Sequence, residues 1–259
     1  MTMRRISIIH GSHHRLELTA VRRDIPAQHI KSVGFELEGG IDGPGLKQLQ
    51  GYVRENRLSV YYNDKQRERS LNVKGKDHPN MEIRFWNGTL KVCTDFIEHA
   101  YRCGFETDQS CGFHVHLAFD DMTKAVSTFS SPTVIKQFVD SYKDQFDDHR
   151  YLSRLKNVFC SNPKNVDIAS NGAVLFEKKT IINIGAYLNH GTIEFRLLPN
   201  QQNAIEAISS LEWLVKESDR IFAENLGASD AMLSHESVRS IFQRHKERKV
   251  ALSREVRRL

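Results

Sequence analysis

Four short segments of this chain place apolar residues at every second position and fill the alternate positions from only three residue types. "GFELEG" sets Phe35 and Leu37 against Glu36 and Glu38, and "MEIRF" sets Met81, Ile83 and Phe85 against Glu82 and Arg84. "FHVHL" sets Phe113, Val115 and Leu117 against His114 and His116, and "IEFRL" sets Ile193, Phe195 and Leu197 against Glu194 and Arg196. Successive side chains of a strand point to opposite faces, so each segment has one greasy face and one charged face. A chain built from such segments is constrained to antiparallel strands with one face buried against other elements.

Between these segments the sequence alternates strand and helix signals. "LKQLQGYVREN" reads as a helix and "RLSVYY" as a strand, while "TLKVCTDFIEHAYRCG" has helical apolar spacing and closes on Gly104, a C-terminal stop. Ser131-Pro132 is an N-cap followed by proline in the first helical turn, opening a helix over "SPTVIKQFVDSYKDQF". "TIINIGAYLNHGTIEFRLLP" reads as a hairpin turning near Asn189-His190-Gly191. Two more helices follow, near "NAIEAISSLEWLVKESDRIFAE" and "SHESVRSIFQRHKER". The fold class expected is α+β, with antiparallel strands and helices packed on one face of the sheet. No linker interrupts the chain, and its 259 residues are ample for one sizeable core.

Composition excludes some classes. No apolar run approaches a membrane span, and the start "MTMRRISIIHGSHHRLELTAVRRD" has too short an apolar run for a secretory segment. A cytoplasmic protein is the expectation, with no membrane partner. Cys93, Cys103, Cys111 and Cys160 lack metal-site spacing and read as reduced thiols. The net charge of +5 gathers largely in the terminal "RSIFQRHKERKVALSREVRRL". Without aromatic interleaving this reads as a solvated or partner-docking helix, a candidate oligomer contact, and not as a nucleic-acid interface. His10, His13 and His14 read as part of a loose terminus rather than a metal site.

Alternation alone describes any half-solvated sheet, and one His-x-His is unspecific. The combination says more, because an ordinary solvent face scatters Thr, Lys, Ser and Gln. Here the outward positions are Glu, His and Arg, the types that hold metal ions and phosphates. Glycines also flank two of the segments, at Gly34 and Gly112, where a missing side chain lets another group approach the backbone. Carboxylates two residues apart on a strand are roughly 6 to 7 Å apart. At an effective dielectric of 20 they repel by on the order of 2 kcal/mol. Gathering Glu36, Glu38, Glu82 and Glu194 is therefore costly without cations, and divalent metals relieve that cost more completely than arginines. A mainly carboxylate set with one or two imidazoles suits Mg²⁺ or Mn²⁺ better than structural zinc. Hard cations beside arginine imply a phosphate-bearing ligand, with ATP the default. No Walker loop or dinucleotide fingerprint accompanies them.

"GFELEG", "SCGFHVHLAF" and "INIGAYLNHGTIEFRLLPN" resemble the signature blocks of the amidoligase family, a branch of the carboxylate–amine ligases that include glutamine synthetase and glutamate–cysteine ligase. The resemblance runs from about residue 32 to about residue 215. It implies a curved antiparallel sheet with helices on its convex face and ATP and divalent cations on its concave face. It divides the chain into an extension at 1–31, a catalytic domain at 32–230 and a basic helical tail at 231–259. By the same resemblance, Glu36, Glu38, Glu82, His114 and Glu194 are metal ligands. His116 lies nearer the nucleotide phosphates, and Arg196 stabilises the phosphoryl group in transfer, with Glu194 and Arg196 the catalytic pair. Arg84, Arg154 and Asn183 are candidate substrate contacts. Asp64, Glu68 and Ser70 remain open for a further acidic residue and a serine, and Cys160 falls where a family cysteine occurs.

The activity implied is ATP-dependent amide-bond formation, in which phosphoryl transfer to a carboxylate gives an acyl phosphate that an amine attacks. The partners are then ATP, a carboxylate-bearing substrate, and an amine acceptor such as an amino acid, polyamine or peptide. The alternatives are a metal-dependent phosphohydrolase or phosphotransferase, and an inactive binding protein on the same fold. A Cys111–histidine nucleophile pair is a weaker reading than a small buried thiol.

Overall fold

The computed structural model describes residues 27–64, 73–156, 167–168, 174–175, 180–231 and 233–256. His10, His13, His14, Glu68, Ser70 and Cys160 lie outside the described residues. The elements run β1 (Ile30–Ile41), α1 (Gly43–Glu55), β2 (Val60–Asp64), β3 (His78–Gly88), α2 (Leu90–Arg102), β4 (Gly112–Phe119), α3 (Met122–Thr128) and α4 (Pro132–Gln145). They continue with α5 (His149–Arg154), β5 (Asp167–Ile168), β6 (Val174–Leu175), β7 (Ile182–Asn183), α6 (Ala186–His190), β8 (Ile193–Pro199), α7 (Ala204–Glu224) and α8 (His235–Val256). Six strands form one open antiparallel sheet in the order β2-β3-β1-β4-β8-β7, and β5 pairs with β6 separately. The architecture is α+β, as the alternation predicts.

The apolar half of each alternating segment builds the core. Phe35, Leu37, Ile83, Phe85, Phe113, Val115, Leu117, Ile193, Phe195 and Leu197 are all buried in one cluster. Helices α2 and α7 pack against this side and against each other. In α2 the buried residues Cys93, Phe96, Ile97 and Ala100 recur at i, i+3, i+4 and i+7, one stripe of a helix. The helix is capped by Thr89, which accepts from the Val92 N–H, and Gly104 follows it with φ +85°, the left-handed stop its position implies. Ser131 caps α4 in the same way, with Pro132 in the first turn.

One sequence expectation meets a different outcome. The β7–β8 connection is antiparallel, but the chain between the strands is the short helix α6, closed by Gly191 at φ +71°, rather than a tight turn. Leu233 and Val238 are buried in the core, and Phe242 packs on Tyr187 with ring centroids 3.8 Å apart. Among the described residues, no helix is long and apolar enough to cross a membrane.

Candidate functional site

Register decides which outward side chains meet. β1 lies between β3 and β4, so Glu36 faces Arg84 on one side and His114 on the other. Glu38 faces Glu82, and Glu82 faces Asn63 of β2. Gly34 faces His116, which faces Glu194 of β8, which faces Asn183 of β7. The four segments, up to 158 positions apart in sequence, thus place their charged halves on one face of the sheet.

Each carboxylate has a partner. Arg84 approaches Glu36 at 3.2 Å and donates to both oxygens of Glu82, at 3.2 and 3.1 Å. Asn63 also donates to Glu82, at 3.2 Å. Glu38 accepts from the Gly112 backbone N–H at 2.7 Å. Glu194 accepts from the Asn183 amide at 2.7 Å and from the Arg196 guanidinium. With Arg154 also present, three guanidiniums stand among four carboxylates. The protein's own arginines therefore offset more of the carboxylate repulsion than the sequence argument assigns to them, although one formal negative charge remains.

The two histidines differ. His114 Nδ1 donates to Glu36 at 3.2 Å and stands 3.6 Å from Glu194, while its Nε2 accepts from Arg154 at 3.4 Å. Both bonds require the neutral ring with its proton on Nδ1. His116 bonds through Nδ1 to Thr192 Oγ1 at 3.0 Å, and its Nε2, 3.9 Å from Glu36, has no hydrogen-bond partner. Glu36, His116 and Glu194 can each turn one ligand atom to within 4.8 Å of the others. The histidine that completes this group is His116, which the resemblance sets beside the phosphates. His114, given there as a metal ligand, has both nitrogens engaged.

Three further residues appear at the site. Asn63 and Thr192 orient Glu82 and His116, and Trp86 meets His116 edge-on at 5.5 Å. Continuing the period of two would have found the last two, since Trp86 follows Glu82 and Arg84, and Thr192 precedes Glu194 and Arg196. Asn63 carried no such signal. Arg154 reaches the site from α5, and Gly112 makes room for it: a Cβ there would stand 2.5 Å from the guanidinium. At the same position the β4–β8 register shifts between Phe113 and Val115, an irregularity of the kind that redirects side chains beside a site. Cys111 packs with Val73 and points its thiol at Asp108, 3.6 Å away, and burial pushes that thiol up to about 12. It is an inert buried thiol rather than a nucleophile.

Burial lowers the His114 imidazole well below the ordinary histidine range, and Arg196 pushes the same way against the pull of Glu194. Burial also lowers His116, opposed by Glu194 and Glu36. Both rings are therefore held neutral in the fold, while the unfolded chain takes up their protons near pH 6.5. More protons on the unfolded state means that stability rises with pH up to about 6.5 and is lost below it. In chelator-containing buffer, the urea midpoint should fall between pH 7.5 and pH 5.5, reflecting a loss of unfolding free energy of up to about 1.4 kcal/mol per pH unit per buried imidazole. An unchanged midpoint would contradict neutral burial.

Three buried polar atoms on this face have no hydrogen-bond partner among the described residues: Nε2 of His116, Oδ1 of Asn183 and Nε of Arg196. Native proteins leave few such atoms unpaired, so a cluster of them marks a place where an ion, water or ligand completes the bonding. Comparison with protein-family models and with curated protein sequences finds no match to the chain.

Proposed function

We propose that this protein is an ATP-dependent carboxylate–amine ligase, with a sheet of the glutamine synthetase and glutamate–cysteine ligase type. The observation that carries the reading is the convergence of Glu36, His116 and Glu194 beside Arg84, Arg154 and Arg196 on one face of one antiparallel sheet. Two carboxylates and one imidazole, without a thiolate, suit Mg²⁺ or Mn²⁺. The partnerless Nε2 of His116 fits that role, because a proton on Nδ1, toward Thr192, leaves the Nε2 lone pair facing Glu36 and Glu194.

When bound, such a cation neutralises charge on phosphate oxygens. The protein's own groups do the rest. Arg196 sits beside Glu194 with its Nε uncommitted, placed to neutralise a phosphoryl group in passage. Arg84 and Arg154 flank the opposite sides of the Glu36–His114 pair and would hold anionic oxygens of the carboxylate substrate. Glu38 and Glu82 form a second acidic pair toward the Gly112 end of the face and would take a further cation. Asn183 fixes Glu194 through its amide and leaves Oδ1 open to a donor on the substrate.

The test is product trapping. Incubating the protein with ATP, Mg²⁺, hydroxylamine and a panel of carboxylates should yield a hydroxamate and ADP in equal amounts. Phosphate release with no acyl product would point instead to a phosphohydrolase. Absence of both would remove the catalytic reading and leave a binding protein.

A further inference from the structure

The polar face ends in two aromatic rings that the cation chemistry does not use. Trp86 continues the Glu82–Arg84 face of β3, and His190 closes α6. Their rings stack with centroids 5.2 Å apart and 26° between planes. Both meet His116 edge-on, at 5.5 and 5.8 Å. His116 is 2% exposed, Trp86 is half-buried and His190 is exposed, so the stack leads from the buried triad out to solvent.

The backbone is shaped to hold this pair. The β1–β3 register slips by one residue between Phe35↔Phe85 and Val33↔Gly88, and within that bulge Asn87 takes φ +56°. Across from it, a Cβ on Gly34 would stand 2.8 Å from the Phe85 carbonyl oxygen, and within 3.6 Å of His116 Cβ and 3.7 Å of Trp86 Cα. Glycine at this position lets the β1 backbone approach the Phe85 carbonyl beside the bulge that carries Trp86.

We propose that Trp86 and His190 form the shelf on which the purine ring of a nucleoside triphosphate stacks. The proposal rests on the nucleotide-dependent reading above and names the part of the site that grips the base. The outer face of this stack, at the exposed ring of His190, gives a base a π-face that continues it, and stacking of this kind tolerates any base because it reads no hydrogen-bond pattern. The shelf adjoins the triad through one residue, His116, so a ligand with a polyanionic end and an aromatic end can engage both. A carboxylate or an aliphatic amine has no ring to match the shelf.

The chain has two tryptophans, and Trp213 packs among Phe138, Tyr142 and Phe146. In a Trp213→Phe variant, Trp86 is the sole indole reporter. Its fluorescence should be quenched by magnesium ATP and not by magnesium tripolyphosphate, which lacks a base. By calorimetry, Trp86→Leu should weaken ATP binding about tenfold while leaving tripolyphosphate binding unchanged, and Trp86→Phe should retain most of the ATP affinity. Equal weakening of both ligands, or unchanged ATP affinity in Trp86→Leu, would overturn the shelf while sparing the nucleotide reading. Quenching by a polyamine and not by ATP would also overturn it, in favour of a cation-binding aromatic surface. If the unaltered protein binds neither ATP nor tripolyphosphate, the nucleotide reading and the shelf both fall.

Discussion

Replacing Glu194 with glutamine should remove tight divalent-cation binding and bring hydroxamate formation to background, with the fold retained. Glu194 is 5% exposed, lies opposite His116 in the register, and is the β8 member of the triad. Glutamine keeps the shape and can still accept from Asn183, but it offers a neutral oxygen where the cation needs a charged one. Loss of residues that only orient ligands lowers metal affinity by about 10- to 100-fold, so loss of a direct ligand should exceed about 100-fold. Titration with Mn²⁺, read by its paramagnetic signal, measures the affinity, and circular dichroism checks the fold. Manganese affinity matching the unaltered protein would remove Glu194 from the ligand set, and with it the triad as a cation site.

Phe35→Ala should cost about 3 to 5 kcal/mol of stability, the range for deleting a fully packed aromatic ring. Phe35 is 1% exposed and is the hub of the apolar face. Its ring stacks on Phe85 at 5.3 Å and 11° and also meets Phe96 at 5.9 Å and Phe113 at 5.7 Å. Domains are stable by only about 5 to 15 kcal/mol, so this one change takes a large share. Tyr61→Ala offers the control, since Tyr61 lies on the edge strand β2 and is 56% exposed. Its loss should stay within about 0.5 kcal/mol. Urea denaturation of both variants decides the matter, and similar midpoints would mean that the aromatic cluster is not the centre of the fold.

The period of two made one half of this picture legible in the sequence. It assigned Phe35, Phe85, Val115 and Phe195 to the interior and put Glu36, Glu82, His114 and Glu194 on the opposite face, because parity within a strand is local information. Register is not local. Which histidine meets which glutamate depends on how β4 pairs with β1 on one side and β8 on the other, and a one-residue irregularity between Phe113 and Val115 changes the answer. His114 also lies 3.6 Å from Glu194, but both its nitrogens are engaged, whereas His116 keeps Nε2 without a partner for the triad. Arg154 was hard to place for a related reason: its approach depends on the absence of a side chain at Gly112 and on a helix from elsewhere in the chain. The short helix α6 was hidden because Asn189-His190-Gly191 serves as well for a helix end as for a turn.

The span of the triad has a consequence for how the molecule assembles. Glu36 lies on the first strand of the sheet and Glu194 on the last one in sequence, with β4 between them in space. A cation held by both would act as a rivet across that three-strand width, present only after the late-made strand has docked. Ligation would then favour the finished sheet over every partly assembled form, by an amount that grows with the logarithm of cation concentration above its dissociation constant. Supplying Mg²⁺ or Mn²⁺ during refolding would raise the yield of native protein by holding together strands made far apart in the chain.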